Sequence, residues 1–492
     1  MIYSAGPSNG FFNSKWKAVY EGINRANTVL KLAPQIATGA TAAEITQFQA
    51  EARFLRGHYY FELKKMFNMV PWIDENTEDP AAVTNDVDIW KNIEDDFKYA
   101  MDNLPTVQSE IGRANKWAAA AYLGKTYLFE KKFTEAKGIF DQVITQGVTS
   151  SGVKYGLMPK YQDNFDASQK NMQESVFAIQ MAANDGTNTI DNANTGGMLN
   201  FPYNSPFRCC GFYQPSLDLA NSFQTDANGL PLVDNYNSNT LKNDMGIDSD
   251  KPFTPDATTR LDPRIDWTVG RRGIPFLDWG NHPGRAWIRD QTYAGPYSPK
   301  KNMYWQATQD IYSDQHSWAP GTAQNVQVIR FADVLLMAAE AEAQAGSLDK
   351  AQEYVNMVRV RAASAGSLVY TYKDASDPLG GFTTTPAANY KIAAYPAGAF
   401  TSKGKDGALK AIYFERKVEL AMEGHRFFDL SRWGIADVAL NAYINYESKV
   451  TPDVTGGKFV KGVNEYYPIP QRQIDLSTRS GVSSLKQNPG YQ

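Results

Sequence analysis

The chain has 492 residues, 42% hydrophobic and 21% charged, with a net charge of −4 from 49 basic and 53 acidic side chains. That composition excludes a disordered chain, and an even charge balance without Lys/Arg tracts leaves no footprint for nucleic acid. Aromatics are the outlier at 13%, with 10 Trp and 27 Tyr. Rings with an apolar face and a polar edge, in such excess, suit a binding surface.

Helices are expected first, in pairs. Trp16, Val19, Tyr20, Ile23, Ala26, Asn27 and Leu30 follow helical spacing until Pro34. A second helix is predicted over 43–67, with Phe48, Ala52, Leu55, Tyr59, Leu63 and Met66 along it. Others follow over 87–104, 113–131 and 133–146. In the last two, Leu123, Gly124, Tyr127, Ala136 and Phe140 fall at tetratricopeptide spacings. Gly124 would let the neighbouring helix approach, and the two rings would fill the space between helices. Gly57 and Tyr60 repeat part of this pattern, and Ala338, Ala339 and Ala351 form a degenerate copy.

From 148 to 325 helical periodicity disappears. Turn signals such as Asn228-Gly229 recur, and short strand-like pieces such as SVFAIQM (175–181) lie between long loops. Helical pattern returns at 328–362 and 408–440, around a second loop-rich stretch at 365–405. The expected fold is mainly α: a tetratricopeptide-like scaffold drawn from both ends of the chain, with an irregular middle packed on it. Within AIYFERKVELAMEGHRFFDLSRWG (411–434), Phe414, Val418, Ala421 and Met422 make an apolar stripe. Glu415, Arg416, Lys417, Glu419 and Glu423 occupy the other faces, where solvation or salt bridges would explain them, and Gly424 stands at a C-cap position.

Little points to catalysis. Gly6-Pro7-Ser8-Asn9-Gly10 matches a nucleophile elbow but lacks the preceding buried strand. None of His58, His282, His316 and His425 has a second ligand at metal spacing. The adjacent Cys209 and Cys210 suit a vicinal disulfide or two thiols in a turn, and cannot complete a zinc site. Residues 225–229 are similar to a calcium loop without its acidic series, and read better as a turn. The loop acids Asp262, Asp266, Asp278 and Asp290 are unpaired in sequence, whereas a glycosidase needs two facing carboxylates. No catalytic residue, cofactor or metal is expected.

The aromatic loops remain. Between 267 and 318, Trp and Tyr alternate with Asn, Arg, Asp and Gln. Flat rings stack on sugar faces while amides, carboxylates and guanidinium groups bond hydroxyls. Trp279, Trp287, Tyr293, Tyr304, Trp305 and Trp318 are the expected ligand contacts, with the remaining rings holding loops to the scaffold. Two or three open rings would give about −4 to −8 kcal/mol of binding. Replacing Trp287, Tyr304 and Trp305 by Ala is expected to weaken binding without unfolding.

Collinear blocks along the chain resemble the SusD/RagB family of nutrient-binding outer-membrane lipoproteins. They are YEGINRANTVL (20–30), AEARFLRGHYYFELKKMFNMVPWI (50–73), RANKWAAAAYLGKTYL (113–128), LDPR (261–264), VIRFADVLLMAAEAEAQAG (328–346), the 411–434 segment, and YYPIPQRQIDLS…LKQNPGY (466–491). The resemblance implies one SusD-like domain over 1–492. It would comprise N-terminal helical repeats at 14–147, a variable ligand-binding region at 148–325 and a C-terminal helical part at 326–492. It implies a protein on the extracellular face of the outer membrane that captures oligosaccharides without turning them over. Its partner would be a SusC-like TonB-dependent transporter; a peptide-binding relative is the alternative. No run reaches the roughly 20 apolar residues of a membrane span. The opening residues carry no export signal, and the family's lipidated cysteine has no counterpart before the 20–30 block. The chain therefore reads as a truncated form, whose membrane contact would come only through an inferred N-terminal lipid anchor.

Overall fold

The computed structural model describes residues 2–491, which divide into two compact units. The first comprises Met1–Lys154, Phe427–Asn441 and Gly456–Gln492. Its helices are α1 (Gly10–Leu32), α2 (Ala42–Phe67), α3 (Trp90–Asn103), α4 (Lys116–Phe129) and α5 (Phe133–Gln146). Each packs on the next in sequence. Their starts are chemically marked. Thr41 and Glu44 form a capping box at α2. The Asn115 side chain accepts from Trp117 N and Ala118 N at α4, and donates to the carbonyls of Thr106 and Val148.

The repeat signature does the packing expected of it. A Cβ on Gly124 would lie 2.7 Å from the Phe140 ring, so only glycine lets α4 and α5 come this close. Gly57 is a closer-than-usual approach of the same kind, with the Phe97 ring of α3 3.0 Å from a Cβ position, so a side chain there would need that ring to give slightly. The apolar face of α2 differs from the predicted stripe. Ala52 and Tyr59 do meet α1, but Phe54, Gly57 and Phe61 form a second buried face, and Phe48 and Leu55 are 39% and 40% exposed. A helix packed on both flanks has two inward faces, and a single 3.6-residue stripe describes only one. Arg56 sits at the crossing, buried, bonding Asp96 of α3 at 2.7 and 2.8 Å, Asn27 of α1 at 3.0 Å and Glu75. The C-terminal segment is pinned to these helices, with Asn488 donating to the carbonyls of Phe67 and Tyr467.

The second unit comprises Tyr155–Arg426 and Ala442–Thr455. Its frame is α6 (Phe331–Ala345), α7 (Leu348–Ala362) and α8 (Ala399–Glu419), each in contact with the other two. Ala338, Ala339 and Ala351 are buried where these helices cross. Strand β1 (Ser175–Ile179) pairs antiparallel with β2 (Val326–Arg330), so the long irregular excursion between them begins and ends on one ribbon. Helix α8 stops at Glu419, and Gly424 takes φ +83° in the turn that follows.

The charged residues in the C-terminal part of α8 are not solvated. Glu415 and Glu419, one helical turn apart, are fully buried, and Glu423 lies just beyond the helix end, on the same side. Arg264 reaches Glu415 at 2.8 Å, Glu419 at 2.7 Å and Asp262 at 2.6 Å. Arg330, the last residue of β2, reaches Glu174, Glu419 and Glu423 at 2.7–2.8 Å. From α7, Arg359 bonds Glu415 and Arg361 bonds Glu174 and Glu419. Lys301 completes the set at Glu423, 2.7 Å away. Three arginines hold the Glu419 carboxyl far below the ordinary carboxylate range. Replacing Glu419 by Gln leaves those guanidinium groups undercompensated in the interior. We expect a loss of about 3–5 kcal/mol, read as a lower urea midpoint with an unchanged slope.

Candidate functional site

The irregular region of the second unit folds around an aromatic cluster. Phe201, Phe207, Trp267, Phe276 and Tyr304 are buried in it, with Trp279, Trp287 and Trp305 packed half-buried against it. Phe207 is the hub, its ring centroid 4.9 Å from Trp279, 5.1 Å from Tyr304 and 6.2 Å from Trp287. Edge-to-face contacts of this kind suit the ring quadrupoles. Polar groups are satisfied within the cluster. The Trp279 indole donates to the Tyr304 carbonyl at 2.8 Å. His282 accepts from Gly284 N through Nδ1, which leaves Nε2–H to donate to Ser298 Oγ at 2.9 Å; burial lowers its pKa to about 3.

The loop acids serve as local anchors. Asp278 accepts from Gln306 N and Ala307 N at 2.7 and 2.9 Å. Asp262 pairs with Arg264, and Asp266 with Arg271 and the Tyr390 hydroxyl. Asp290 caps the short helix Gln291–Ala294 through Thr292 N. Asp226 closes its own turn on Asn228 N and Leu230 N, where a calcium loop was the weaker reading. Among the described residues no group of three or more His, Cys, Asp or Glu side chains is arranged to hold a metal ion, and no helix is long and apolar enough to cross a membrane.

The six expected ligand residues separate by depth. Tyr304 is only 6% exposed, its ring enclosed by Phe201, Phe207 and Trp279. It therefore belongs to the core, and the expected triple replacement with Trp287 and Trp305 would dismantle packing. Trp279, Trp287 and Trp305 are half-buried. Tyr293 and Trp318 are open, at 42% and 57% exposure.

The structure adds residues from a loop outside the 267–318 window. Residues 199–214 turn back on themselves, Gly211 N donating to the Phe201 carbonyl and Phe212 N to the Leu199 carbonyl. Phe201 and Phe207 point into the cluster, while Tyr203 and Tyr213 are 41% and 47% exposed. Tyr203 N donates to the Trp287 carbonyl, and Gln214 donates to the carbonyls of Asp290 and Gly295, which places this loop beside Tyr293. On the other side Arg208 donates to the Ser317 carbonyl at 3.2 Å and to Gln315 at 2.9 Å, next to Trp318. Cys209 and Cys210 in the same loop are joined to each other. Tyr203, Tyr213, Tyr293 and Trp318 thus share one connected surface of loops, interleaved with arginine and amide groups.

A family model described as the SusD family matches residues 173–491, and one described as "Starch-binding associating with outer membrane" matches residues 4–128. The chain belongs to the SusD family. SusD-like protein P25 of Formosa agariphila is 26% identical over 431 residues, covering 85% of this chain and 70% of that one. A solved laminarin binding SusD-like protein superposes with a TM-score of 0.60 at 24% identity, covering 97% of this chain and 86% of the other. A structure solved with xylogluco-oligosaccharide gives 0.64 at 19% identity, covering 98% and 90%. The helical repeats with loops between them are therefore the SusD architecture.

Two buried lysines under the cluster give a pH signature. Burial pushes Lys300 down to about 7, against the nearby Asp266, and Lys301 down to about 8 despite its Glu423 partner. Both titrate near 10.4 when unfolded, so between pH 7 and pH 9.5 the unfolded chain binds more protons and stability rises with pH. The melting temperature should climb across that window in the native protein and less in a Lys300→Met variant. A native profile that is flat or falling would contradict the assignment.

Proposed function

We propose that this SusD-family chain is a glycan-capture protein of the outer membrane that binds oligosaccharides on its loop face and passes them to a SusC-like TonB-dependent transporter. The observation that carries the reading is the set of open rings, Tyr203, Tyr213, Tyr293 and Trp318, set among arginine and amide groups on one connected surface. Sugars present apolar C–H faces and a rim of hydroxyls, and such a surface meets both. The loops that carry its rings are linked by hydrogen bonds from Tyr203 N, Gln214 and Arg208, which lowers the ordering cost of binding. Capture of glycans by relatives on the same architecture, one described as laminarin binding and one solved with a xylogluco-oligosaccharide, supports the same class of ligand.

The reading places the chain on the extracellular face, held by an N-terminal lipid anchor and acting without turnover. The outer-membrane description of the family model over residues 4–128 supports that location. Hand-off to a transporter requires binding that is firm but reversible, which a few open rings supply.

Replacing Trp318 and Tyr293 together by Ala should weaken retention on polysaccharide affinity gels by about ten-fold or more, at about 1 kcal/mol per ring, with the melting temperature unchanged. Tyr304→Ala should instead lower stability by about 3 kcal/mol or more. Unaltered retention in the folded double variant would remove this surface as the site.

A further inference from the structure

Two guanidinium groups on the loop face have no counter-charge. Arg208 gives its bonds to the Ser317 carbonyl and the Gln315 amide oxygen. Arg289 donates to the Cys210 carbonyl at 3.0 Å, and its guanidinium carbon stands over Phe212 and Tyr203, 4.6 and 5.6 Å from their ring centroids. Both are exposed, and neither meets a carboxylate among the described residues. By contrast the buried arginines of this unit, Arg264, Arg330 and Arg361, each face two or three carboxylates. Bonds from Arg208 and Arg289 converge on one short loop, through residue 208 itself and through Cys210, whose Cα atoms are at most about 7 Å apart.

The surrounding sequence keeps negative charge away. Residues 192–217 hold a single charged side chain, Arg208, in a chain that is net acidic. The acids around this face are already engaged, including Glu423, which acts electrostatically on Tyr213 and is paired with Lys301 and Arg330. Asp290 accepts from Thr292 N and Oγ1, Asp248 pairs with Arg285, and Asp314 is buried against His316 and Asn184 N. Arg208 and Arg289 use one or two of their five N–H donors on protein groups, and both side chains are exposed, which leaves the other donors for a ligand. A planar fork beside an aromatic ring is suited to a carboxylate or sulfate borne on a sugar.

We propose that the loop face selects anionic glycans, with Arg208 and Arg289 as specificity-determining residues that bond carboxylate or sulfate groups while the open rings stack on the sugar. This rests on the glycan-capture reading and narrows it. Affinity gels containing polygalacturonate, a sulfated galactan or laminarin supply carboxylate, sulfate-ester and neutral arms. The native protein should be retarded most by one of the two anionic gels, and which one identifies the anion. An Arg208→Gln/Arg289→Gln variant with an unchanged melting temperature should lose about ten-fold or more of that affinity and about two-fold at most of its laminarin retention. Arg289→Lys, which keeps the charge, should fall between the two, and Arg25→Gln, on an exposed face of α1, should bind as the native chain does. Equal retardation by anionic and neutral gels, or full anionic retention in the double variant, would overturn the proposal while leaving glycan capture standing. Retention on none of the gels would overturn both.

Discussion

Everything in the second unit depends on charge buried where water cannot reach it. Arg264, Arg330, Arg359, Arg361 and Lys301 face Glu174, Asp262, Glu415, Glu419 and Glu423 in one connected set. Desolvating such groups costs several kcal/mol each, and their attraction repays this only in near-ideal geometry. The network therefore tolerates one arrangement of its carriers: the loops at 262–264 and 301, the start and end of the β1–β2 ribbon, the last turn of α7, and the C-terminal part of α8 with its turn. A slip in any of them strands a charge in the interior. The elements that launch and receive the long loops are thus fixed in register, although the loops themselves contain little regular structure.

On that frame the aromatic cluster works as a second layer. Phe201, Phe207, Phe276 and Tyr304 fill the interior, while half-buried Trp279, Trp287 and Trp305 lead to the open rings. The open rings and exposed arginines are then carried by short links between loops: Tyr203 to Trp287, Gln214 to Asp290, Arg208 to Ser317, Arg289 to Cys210. A surface built this way can change its rings and charges between relatives without disturbing the ionic frame beneath. That separation is a physical basis for one architecture serving different glycans.

The helices were legible in the sequence because their periodicity, caps and small residues act locally. Gly124 opposite Phe140 acts where the tetratricopeptide spacing put it, and Thr41 with Glu44 and Asn115 cap the predicted helices from the adjoining sequence. For Glu415 and Glu419 the sequence left solvation and salt bridges both open, and the structure shows the second. Their spacing resembles a solvated helix face, and the arginines that bury them come from positions some 50 to 150 residues away in the chain. Depth among the aromatics was hidden for the same reason. Tyr304 and Tyr293 look alike in sequence, but one is enclosed by Phe201 and Phe207, which lie in a loop a hundred residues earlier. That loop, FPYNSPFRCCGFYQ, held its own signal in closely spaced rings around two cysteines and an unaccompanied arginine.

Hydrogen–deuterium exchange of the intact chain, with and without a saturating polysaccharide that it retains on gels, tests the loop-borne site most directly. Binding there predicts slowed exchange in 199–214, 285–295 and 315–318, with the amides of α6 and α8 slow in both states. Protection on α1 and α2 instead, with those three loops unchanged, would contradict it.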